Sequence, residues 1–262
     1  MHPILFTIPL FGGLTIYTYG VLVATAFLVG MFWVDREARR VGENPARATD
    51  LVFYIIVAAI VGSRIVYVLV SEREQFFQDP LSFFRIWEGG LVFYGGFLGA
   101  LLVALWYIQK HHLNFWRTAD IFVPGVALGH AIGRVGCLMA GCCHGRPALH
   151  NAWWTLTFPP HEHGFAPPGV PLYPTQPLES IAELLIFAIL VVVGRRKRFE
   201  GEVFATYLFL YAIVRTALET VRGDAVRGFL FGGLLSTSQA ISLLLGFAAI
   251  GIWVVRRRKD PA

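Results

Sequence analysis

Residues 49–71 read TDLVFYIIVAAIVGSRIVYVLVS, a run in which Arg64 is the one charged residue after Asp50. A helix of about 20 apolar residues crosses the roughly 30 Å hydrocarbon core of a bilayer, so this run is long enough to span a membrane. Comparable runs recur along the chain, and we place the predicted spans at residues 14–34, 49–71, 89–108, 119–141, 178–194, 201–221 and 237–255. The sequence therefore predicts an all-α polytopic membrane protein with about seven transmembrane helices.

The composition of the chain supports this fold class. Of its 262 residues, 56% are hydrophobic and 15% are charged, and the mean hydropathy is +0.60. A soluble domain usually has about 25% charged residues. Because the apolar runs leave no room for a separate soluble core, we predict a single membrane domain over residues 1–262. The net charge of +5 comes from Lys and Arg at the ends of the runs, as topology requires, so no nucleic-acid partner is expected.

The distribution of positive charge predicts the orientation of the chain, because cytoplasmic connections carry the excess of Lys and Arg. Segments 35–48, 109–118 and 195–200 and the C-terminal tail together hold fourteen such residues, against five in the alternate connections. The N-terminus is therefore predicted to lie outside and the C-terminus in the cytoplasm. The longest connection, residues 142–177, then falls outside between the fourth and fifth spans. Its Pro-rich turns and tryptophans predict a small cap, with a strand at 152–158.

Three arginines lie inside the predicted spans. Arg64, Arg134 and Arg215 each cost from about 2.5 to more than 10 kcal/mol at membrane depth, so they must face a protein interior or a wet cavity. One explanation is an internal ion pair, since Glu219 is one helical turn from Arg215. Three cations against one carboxylate nevertheless leave an excess of positive charge. Because guanidinium groups bind phosphate bidentately, the sequence favours a site for a lipid phosphate.

Glycines surround one of these arginines. Gly129, Gly133 and Gly136 follow a helical spacing of four and three, and small residues at this spacing allow another helix or a ligand to approach the backbone. A helix-packing seam is the simpler interpretation. The presence of Arg134 within the run favours a binding cleft.

The third span begins with WEGGLVFYGG at residues 87–96, where two pairs of glycines bracket an aromatic segment. Glycine at a helix entry permits irregular backbone, which a membrane tolerates only where the backbone is shielded or wet. Tyr94 could donate a hydrogen bond to a lipid head group. It could equally be an aromatic anchor at the membrane interface.

Cys137, Cys142, Cys143 and His144 are a short cluster of residue types that bind zinc. Their spacing is not that of a zinc finger, and no second pair of ligands completes a site. We therefore expect no metal here. Small-residue packing, or a local disulfide on the oxidising side of the membrane, is the favoured interpretation.

Six motifs in chain order together resemble the bacterial prolipoprotein diacylglyceryl transferase family. The resemblance covers nearly the whole chain, and although each motif is weak alone, six in register across seven spans are specific. The motifs are Tyr19-Gly20, Gly62-Ser63-Arg64, the Gly-Gly-x-x-Phe-Tyr-Gly-Gly run ending at Gly96, the signature from Gly133 to Arg146, Tyr173-Pro174-Thr175-Gln176 with Glu179, and Tyr211-x-x-x-Arg215-x-x-x-Glu219-x-x-Arg222.

The resemblance implies an activity and a location. Members of this family transfer the diacylglyceryl group of phosphatidylglycerol to the lipobox cysteine thiol of a preprolipoprotein, forming a thioether and releasing glycerol phosphate. This is the first step of bacterial lipoprotein maturation at the inner membrane, and it implies a multi-pass enzyme with a periplasmic cap. The expected partners are phosphatidylglycerol, the signal peptide with its lipobox cysteine and membrane lipids, and no cofactor is expected.

The resemblance also implies the site residues. The expected catalytic residues are Arg134, Arg215, Tyr94 and Glu219. The expected substrate-binding residues are Tyr19, Arg64, Gly95, Gly133, Cys137, Cys142, His144, Gly145, Gln176, Tyr211 and Arg222.

Three positions depart from the family pattern. Tyr94 stands where the family has a histidine that is a favoured catalytic base, Cys137 replaces an asparagine of the signature and Cys142 replaces its glutamate. Tyr94 or His144 could accept the thiol proton, or electropositive surroundings could favour the thiolate without a base. Two other functions stay open. The chain could be a paralogue of the family that binds lipid or leader peptide without this activity, or it could be a transporter of anions or lipids.

Overall fold

The computed structural model describes residues 2–8, 14–85, 89–149, 152–160, 165–223, 228–230 and 235–259. The described chain is mainly helical, and a long helix overlies every predicted span. The helices are α1 (Thr18–Arg40), α2 (Pro45–Ser71), α3 (Arg73–Gln78), α4 (Phe93–Lys110), α5 (Phe115–Ala140), α6 (Thr175–Arg196), α7 (Glu202–Glu219) and α8 (Thr237–Lys259), with a 3₁₀ helix at Pro80–Phe84.

Five of these helices in the described part of the chain are long and apolar enough to cross a membrane, namely α1, α2, α5, α6 and α8. Helix α7 is also largely apolar, but it carries Glu202, Arg215 and Glu219. The all-α membrane class is therefore confirmed. The count of seven spans and the orientation stay predictions.

Three short antiparallel strand pairs accompany the helices in the described part of the chain. Strands β1 (Ile4–Ile8) and β2 (Leu14–Tyr17) pair before α1, β3 (Leu156–Thr157) pairs with β4 (Pro171–Leu172), and β5 (Phe229–Leu230) pairs with β6 (Leu235–Ser236). The strand predicted over residues 152–158 is only partly correct.

Residues 152–155 form a turn in which Thr155 N–H donates to the Ala152 carbonyl at 2.9 Å and the Ala152 N–H donates to Thr155 Oγ1 at 3.2 Å. A side chain that closes a local turn competes with strand pairing, which explains the shorter strand.

The chain divides into two compact units, Met1–Trp33 with Ala119–Ala262, and Val34–Thr118. A single membrane domain over residues 1–262 therefore stays a prediction. In the second unit, α2 and α4 pack closely because glycines face each other. A Cβ added to Gly62 would clash with the Gly95 carbonyl oxygen, and one added to Gly99 would clash with the Ala58 carbonyl oxygen. Small residues thus bring the two backbones into contact.

In the first unit, α5 is the central helix. Its residues Val123 and Ala127 form a buried core with Ile186, Leu190 and Val203 of α6 and α7.

The opposite packing face of α5 carries glycines that contact α1. A Cβ on Gly125 would lie 3.2 Å from the Gly30 carbonyl oxygen, and one on Gly136 would lie 3.1 Å from the Tyr19 ring. The core and the glycine seam together set the rotation of α5 about its axis and so the direction of Arg134.

The three glycines of the predicted face have different surroundings. A Cβ on Gly129 would be 3.4 Å from the Ala26 carbonyl oxygen, whereas one on Gly133 would meet nothing within 4 Å. At 3.6 residues per turn, Gly136 is about 20° from Gly129 around the helix and Gly133 is about 40° away on the other side. Gly129 and Gly136 therefore belong to the packing seam, and Gly133 opens onto free space beside Arg134.

Candidate active site

Arg134 is held in the last turns of α5 with 6% of its surface exposed. Its Nε lies 2.9 Å from Glu179 Oε2, an ion pair between two side chains that are almost fully buried. Its terminal nitrogens have weaker partners. Nη1 is 3.6 Å from the Cys137 sulfur, which is a poor acceptor, and Nη2 is 3.5 Å from the Cys143 carbonyl oxygen, at the upper limit for a hydrogen bond. The guanidinium is thus anchored at one edge and weakly bound at the other.

Glu179, in the first turns of α6, connects several charged groups. Besides Arg134, its Oε2 is 3.6 Å from Nη1 of Arg222, which follows the end of α7. Its Oε1 is 3.5 Å from His130 Nε2. One carboxylate therefore links side chains from α5, α6 and the segment after α7.

His130 extends this network deeper into the first unit. Its Nδ1 lies 3.1 Å from Glu183 Oε1, so the two ring nitrogens face two different carboxylates. Glu183 is fully buried, whereas the His130 side chain is 29% exposed. The ring of Tyr211 is 6.1 Å from the imidazole, between centroids. Glu179, His130 and Glu183 thus form a continuous chain of titratable groups.

Arg215 lies on α7, and its Nη2 is 2.9 Å both from Glu219 Oε2 and from Ser238 Oγ of α8. Its Nη1 is buried and has no hydrogen-bond acceptor among the described residues. Glu179 and Arg222 are close enough to Arg215 to act on its charge. The charged side chains described so far form one group, which we call the arginine centre. It consists of Arg134, Arg215, Arg222, Glu179, Glu219, His130 and Glu183.

A short segment of the predicted cap supports this centre. The Gly145 N–H donates to the Tyr173 carbonyl at 3.2 Å, and the Arg146 N–H donates to the Val221 carbonyl at 3.0 Å. Gly145 also forms a β-bridge with Arg222. A Cβ on Gly145 would lie 2.5 Å from the Tyr173 carbonyl oxygen, so the predicted glycine is required by this close approach.

The turn after α5 is bound to the start of α6. Gln176 Nε2 donates to the Cys142 carbonyl and Thr175 Oγ1 donates to the Cys143 carbonyl, each at 3.0 Å. Both donors are fully buried. The predicted Gln176 therefore holds the loop that carries Cys142 and Cys143, and His144 follows with its Nδ1 3.0 Å from the Gly145 carbonyl oxygen.

The three cysteine sulfurs lie close together. Cys137, Cys142 and Cys143 place their sulfurs within 4.8 Å of one another, although the sequence spacing suggested no metal site. Hydrogen bonds from the Cys137 and Cys142 thiols lower the pKa of the Cys143 thiol, and the charge of Arg134 acts in the same direction. Hydrogen bonds with Cys137 and Cys143 raise the pKa of the Cys142 thiol.

Three predicted residues belong to the second unit. Gly95 lies in the glycine contact with α2, and Tyr94 is 70% exposed. Arg64 is buried, and its Nη2 is 3.7 Å from Glu72 Oε2. Its guanidinium carbon lies over the ring of Tyr67, 5.3 Å from the ring centroid. Its nitrogens donate to the backbone carbonyls of Ser82, Phe83, Gly89 and Gly90.

Arg64 therefore anchors the segment that precedes α4. Gly90 fits this arrangement because its φ is +77° and a Cβ would clash with Tyr67 and Arg64. The part of Arg64 in substrate binding stays a prediction, as does that of Tyr19, which is 44% exposed beside Gly136.

The charge balance expected from the sequence needs correction. Glu179 and Glu183 add two buried carboxylates to the first unit, of which Glu179 lies beside Arg134 and Arg222, and Glu183 lies beside His130. Sequence reasoning recorded Glu179 only as part of a motif and missed His130 and Glu183 as site residues. The available signal was the spacing of Glu179 and Glu183, one turn apart in an otherwise apolar span.

Comparisons with known proteins bear on what this arrangement does. A family model described as "Prolipoprotein diacylglyceryl transferase" matches residues 3–255. Three curated relatives have names that specify phosphatidylglycerol–prolipoprotein diacylglyceryl transferase. The relative from Halalkalibacterium halodurans is 34% identical over 252 residues, covering 96% of this chain and 86% of the relative. The relative from Geobacillus kaustophilus is 34% identical over 259 residues, covering 96% and 92%. The relative numbered 2 from Clostridium perfringens is 32% identical over 247 residues, covering 94% and 93%.

Proposed function

The chain belongs to the prolipoprotein diacylglyceryl transferase family, and we propose that its arginine centre is the active site of the family's reaction. The protein is an enzyme that transfers the diacylglyceryl group from phosphatidylglycerol to a prolipoprotein. In the proposed reaction, the acceptor is the lipobox cysteine thiol of the signal peptide. The thiolate attacks C3 of the glyceryl group, a thioether bond forms and the C–O bond to phosphate breaks. Glycerol phosphate leaves.

The bond that breaks determines where stabilisation is needed. A phosphodiester becomes a phosphomonoester, so negative charge grows on the phosphate oxygens as the C–O bond lengthens. Positive groups that are already oriented toward those oxygens bind the transition state more tightly than the ground state. Guanidinium groups suit this task because their paired N–H donors match phosphate geometry.

The observation that carries the proposal is the uneven bonding of the two central arginines. Arg134 is fixed by Glu179 at 2.9 Å through Nε, while the partners of its two Nη groups among the described residues are a thiol sulfur and a distant carbonyl. Arg215 is fixed through Nη2 and keeps a buried Nη1 without a described acceptor. Buried polar groups normally have partners, and phosphate oxygens would supply acceptors for these donors.

The carboxylates of the centre have an orienting part in this proposal. An isolated guanidinium is expensive to bury, and Glu179 and Glu219 offset that cost while holding Arg134 and Arg215 in one direction. Arg222 strengthens the arrangement through its contact with Glu179 at 3.6 Å. Preorganisation of this kind lets the arginines act without rearrangement during the reaction.

Two side chains are candidates for accepting the substrate's thiol proton, Tyr94 and His144, and both follow from the sequence. His130 is not one of them, because each of its ring nitrogens faces a carboxylate, Glu179 or Glu183, and this arrangement favours the protonated ring. General-base catalysis requires hydrogen-bond reach to the proton, so replacing each residue separately tests the assignment. Loss of the rate at pH 7 with recovery at high pH, where the thiol ionises unaided, identifies the base.

The proposed setting is the bacterial inner membrane. The chain is a multi-pass membrane protein, and we infer seven spans, an outer N-terminus, a cytoplasmic C-terminus and a periplasmic cap over residues 142–177. The signal peptide and phosphatidylglycerol would both reach the centre from the membrane. No nucleic acid is a partner in this proposal.

The test uses the full chain purified in detergent, with phosphatidylglycerol and a synthetic lipobox peptide. Glycerol phosphate release and the mass gain of the peptide are measured together. Arg134→Gln and Arg215→Gln should each lower both signals about 10²–10³-fold. Arg117→Gln is the control, because Arg117 pairs with Glu43 at 3.1 Å in the second unit and lies outside the centre.

The outcomes separate the alternatives. Full activity of both arginine variants would contradict the assignment of the centre. A wild-type protein that binds phosphatidylglycerol but yields no lipidated peptide would indicate a paralogue without the activity. Lipid or anion flux across a vesicle membrane without product would indicate a transporter.

A further inference from the structure

We propose that Cys137, Cys142 and Cys143 form a binding site for one soft, thiophilic metal ion, with Cu(I) as the best-fitting ion. The proposal concerns a site beside the arginine centre and does not depend on the transfer reaction.

The distances between the sulfurs suit such an ion. All three lie within 4.8 Å of one another. With metal–sulfur bonds of about 2.3 Å, three sulfurs around an ion in one plane are about 4 Å apart. Side-chain rotations that move the sulfurs by less than about 1 Å therefore bring them to the spacing that a three-coordinate ion requires. Thiolate ligands select Cu(I) and zinc over harder cations, and a structural zinc site needs a fourth ligand.

The backbone that presents these thiols is constrained. Cys143 has a φ of +57° and Gly141 a φ of +71°, so the chain reverses sharply just after α5. A left-handed conformation costs a residue other than glycine of the order of 1 kcal/mol and persists where the surroundings hold it. Here the hydrogen bonds from Thr175 and Gln176 to the Cys143 and Cys142 carbonyls hold it, at 3.0 Å each.

This constraint has a consequence for the thiols. Because the carbonyls of Cys142 and Cys143 accept hydrogen bonds from α6, the backbone of the loop is held in the conformation that brings its thiols near Cys137. The Cys142 N–H also donates to the Cys137 carbonyl at 3.1 Å, which fixes the loop to the end of α5. The thiols are thus held together by contacts that do not involve sulfur.

Charge and access also favour a bound ion. Coordinating thiols lose their protons, and the negative charge that results is partly offset by Arg134, whose Nη1 is 3.6 Å from the Cys137 sulfur. Cys137 is buried while Cys142 and Cys143 are partly exposed, so an ion can enter from the loop side. A disulfide between two of the three would leave one thiol unused, whereas a three-coordinate ion uses all of them.

The first experiment measures the binding of Cu(I) and Zn(II) to the full chain. The protein is purified in detergent under reducing, anaerobic conditions and titrated with each ion against a chromophoric chelator of known affinity. We expect one Cu(I) per chain, coordination by three sulfurs in X-ray absorption spectra, and protection of all three thiols from a thiol-reactive dye. Zn(II) should bind more weakly.

Variants identify the ligands. Cys143→Ser and Cys137→Ser should each lower the Cu(I) affinity at least a hundredfold. Met139→Leu is the matched control, because it removes a neighbouring sulfur that is not in the cluster and should leave the affinity unchanged. The unfolding temperature of each variant without metal verifies its fold, and Cys142→Ser replaces a variant that fails this check.

Three results would overturn the proposal. The reduced protein could bind neither ion, Cys143→Ser could bind Cu(I) as tightly as the wild type, or oxidation could join two thiols in a protein that takes up no metal after reduction. Each of these would leave the assignment of Arg134 and Arg215 to phosphate untouched, because the transfer assay tests that assignment separately.

Discussion

Two clusters of buried charge lie at opposite ends of α5, α6 and α7, and they differ in how completely their atoms are bonded. At one end, Asp120 Oδ2 accepts hydrogen bonds from Lys197 Nζ at 3.1 Å and from the Gly201 N–H at 2.9 Å. Its Oδ1 accepts from the Phe204 N–H at 2.9 Å. Both oxygens of Asp120 therefore have good partners, and we call this set the Asp120 cluster.

At the other end, the arginine centre is bonded unevenly. Arg215 Nη1 is buried without a described acceptor, and the Nη groups of Arg134 have weak partners. Buried charge alone therefore does not indicate function. A fully bonded cluster stabilises the fold, whereas a cluster with spare donors is able to bind a ligand.

The largest expected effect is on stability and belongs to the Asp120 cluster. Lys197→Met leaves the Asp120 carboxylate buried without its cation, which should lower the free energy of unfolding by about 3–5 kcal/mol. The transfer rate per folded molecule should not change. Denaturant unfolding and the transfer assay on the same preparation measure both quantities, and a large loss of rate in the folded fraction would erase the distinction between the clusters.

The next effect is on rate and belongs to the arginine centre. Arg134→Gln removes a charge that acts on the leaving phosphate, so the rate should fall about 10²–10³-fold, as for the loss of one preorganised donor. Initial rates of glycerol phosphate release measure this change. Arg134→Lys should recover only part of the rate, because one ammonium cannot replace a bidentate fork. Equal rates for Lys and Arg would argue against bidentate binding.

A smaller loss is expected when the orienting carboxylate is changed. Glu179→Gln keeps the shape of the side chain but removes the ion pair that holds Arg134 at 2.9 Å. Misplacement of a catalytic group by about 1 Å can cost about 10²-fold in rate, so we expect a loss of up to that size, mainly in kcat. An effect confined to KM would indicate that Glu179 affects lipid binding alone.

The smallest expected effect separates two glycines near the centre. Gly145→Ala places a Cβ 2.5 Å from the Tyr173 carbonyl oxygen, and this overpacking should cost about 1–3 kcal/mol of stability. Gly133→Ala meets nothing within 4 Å and should be neutral or stabilising by up to about 1 kcal/mol, since alanine favours a helix. Thermal unfolding of the two variants side by side measures the difference. Equal destabilisation would mean that the space beside Gly133 is not open.

The positions of the long helices could be predicted because each depends on its own residues. The runs at 49–71 and 119–141 correspond to α2 at Pro45–Ser71 and α5 at Phe115–Ala140. The helix ends extend beyond the apolar runs where a cap allows it, as at Asn44, whose side chain accepts hydrogen bonds from the Ala46 and Arg47 N–H groups. The pair of Arg215 and Glu219 was equally local, four residues apart on one helix.

The partners of the other buried charges could not be predicted in this way. Glu179 is 45 residues from Arg134 along the chain and Lys197 is 77 residues from Asp120, so no local spacing relates either pair. The excess of positive charge inferred from the spans was too large for the same reason, because Glu179 was not recognised as the partner of Arg134, nor Glu183 as the partner of His130. The three thiols were judged by their spacing, whereas a turn with Cys143 in a left-handed conformation brings them together.

The order of residues along the chain is enough to identify a helical membrane protein of a recognisable family, with arginines inside spans that are otherwise apolar. Hydrophobic length and motif order are properties of consecutive residues, so they can be read without a fold. Which buried charges are fully bonded, and which keep donors without a described acceptor, is visible only in the folded chain. That outcome depends on how α5 is rotated against α6 and α7, and a rotation is set by packing between segments that are distant in the chain.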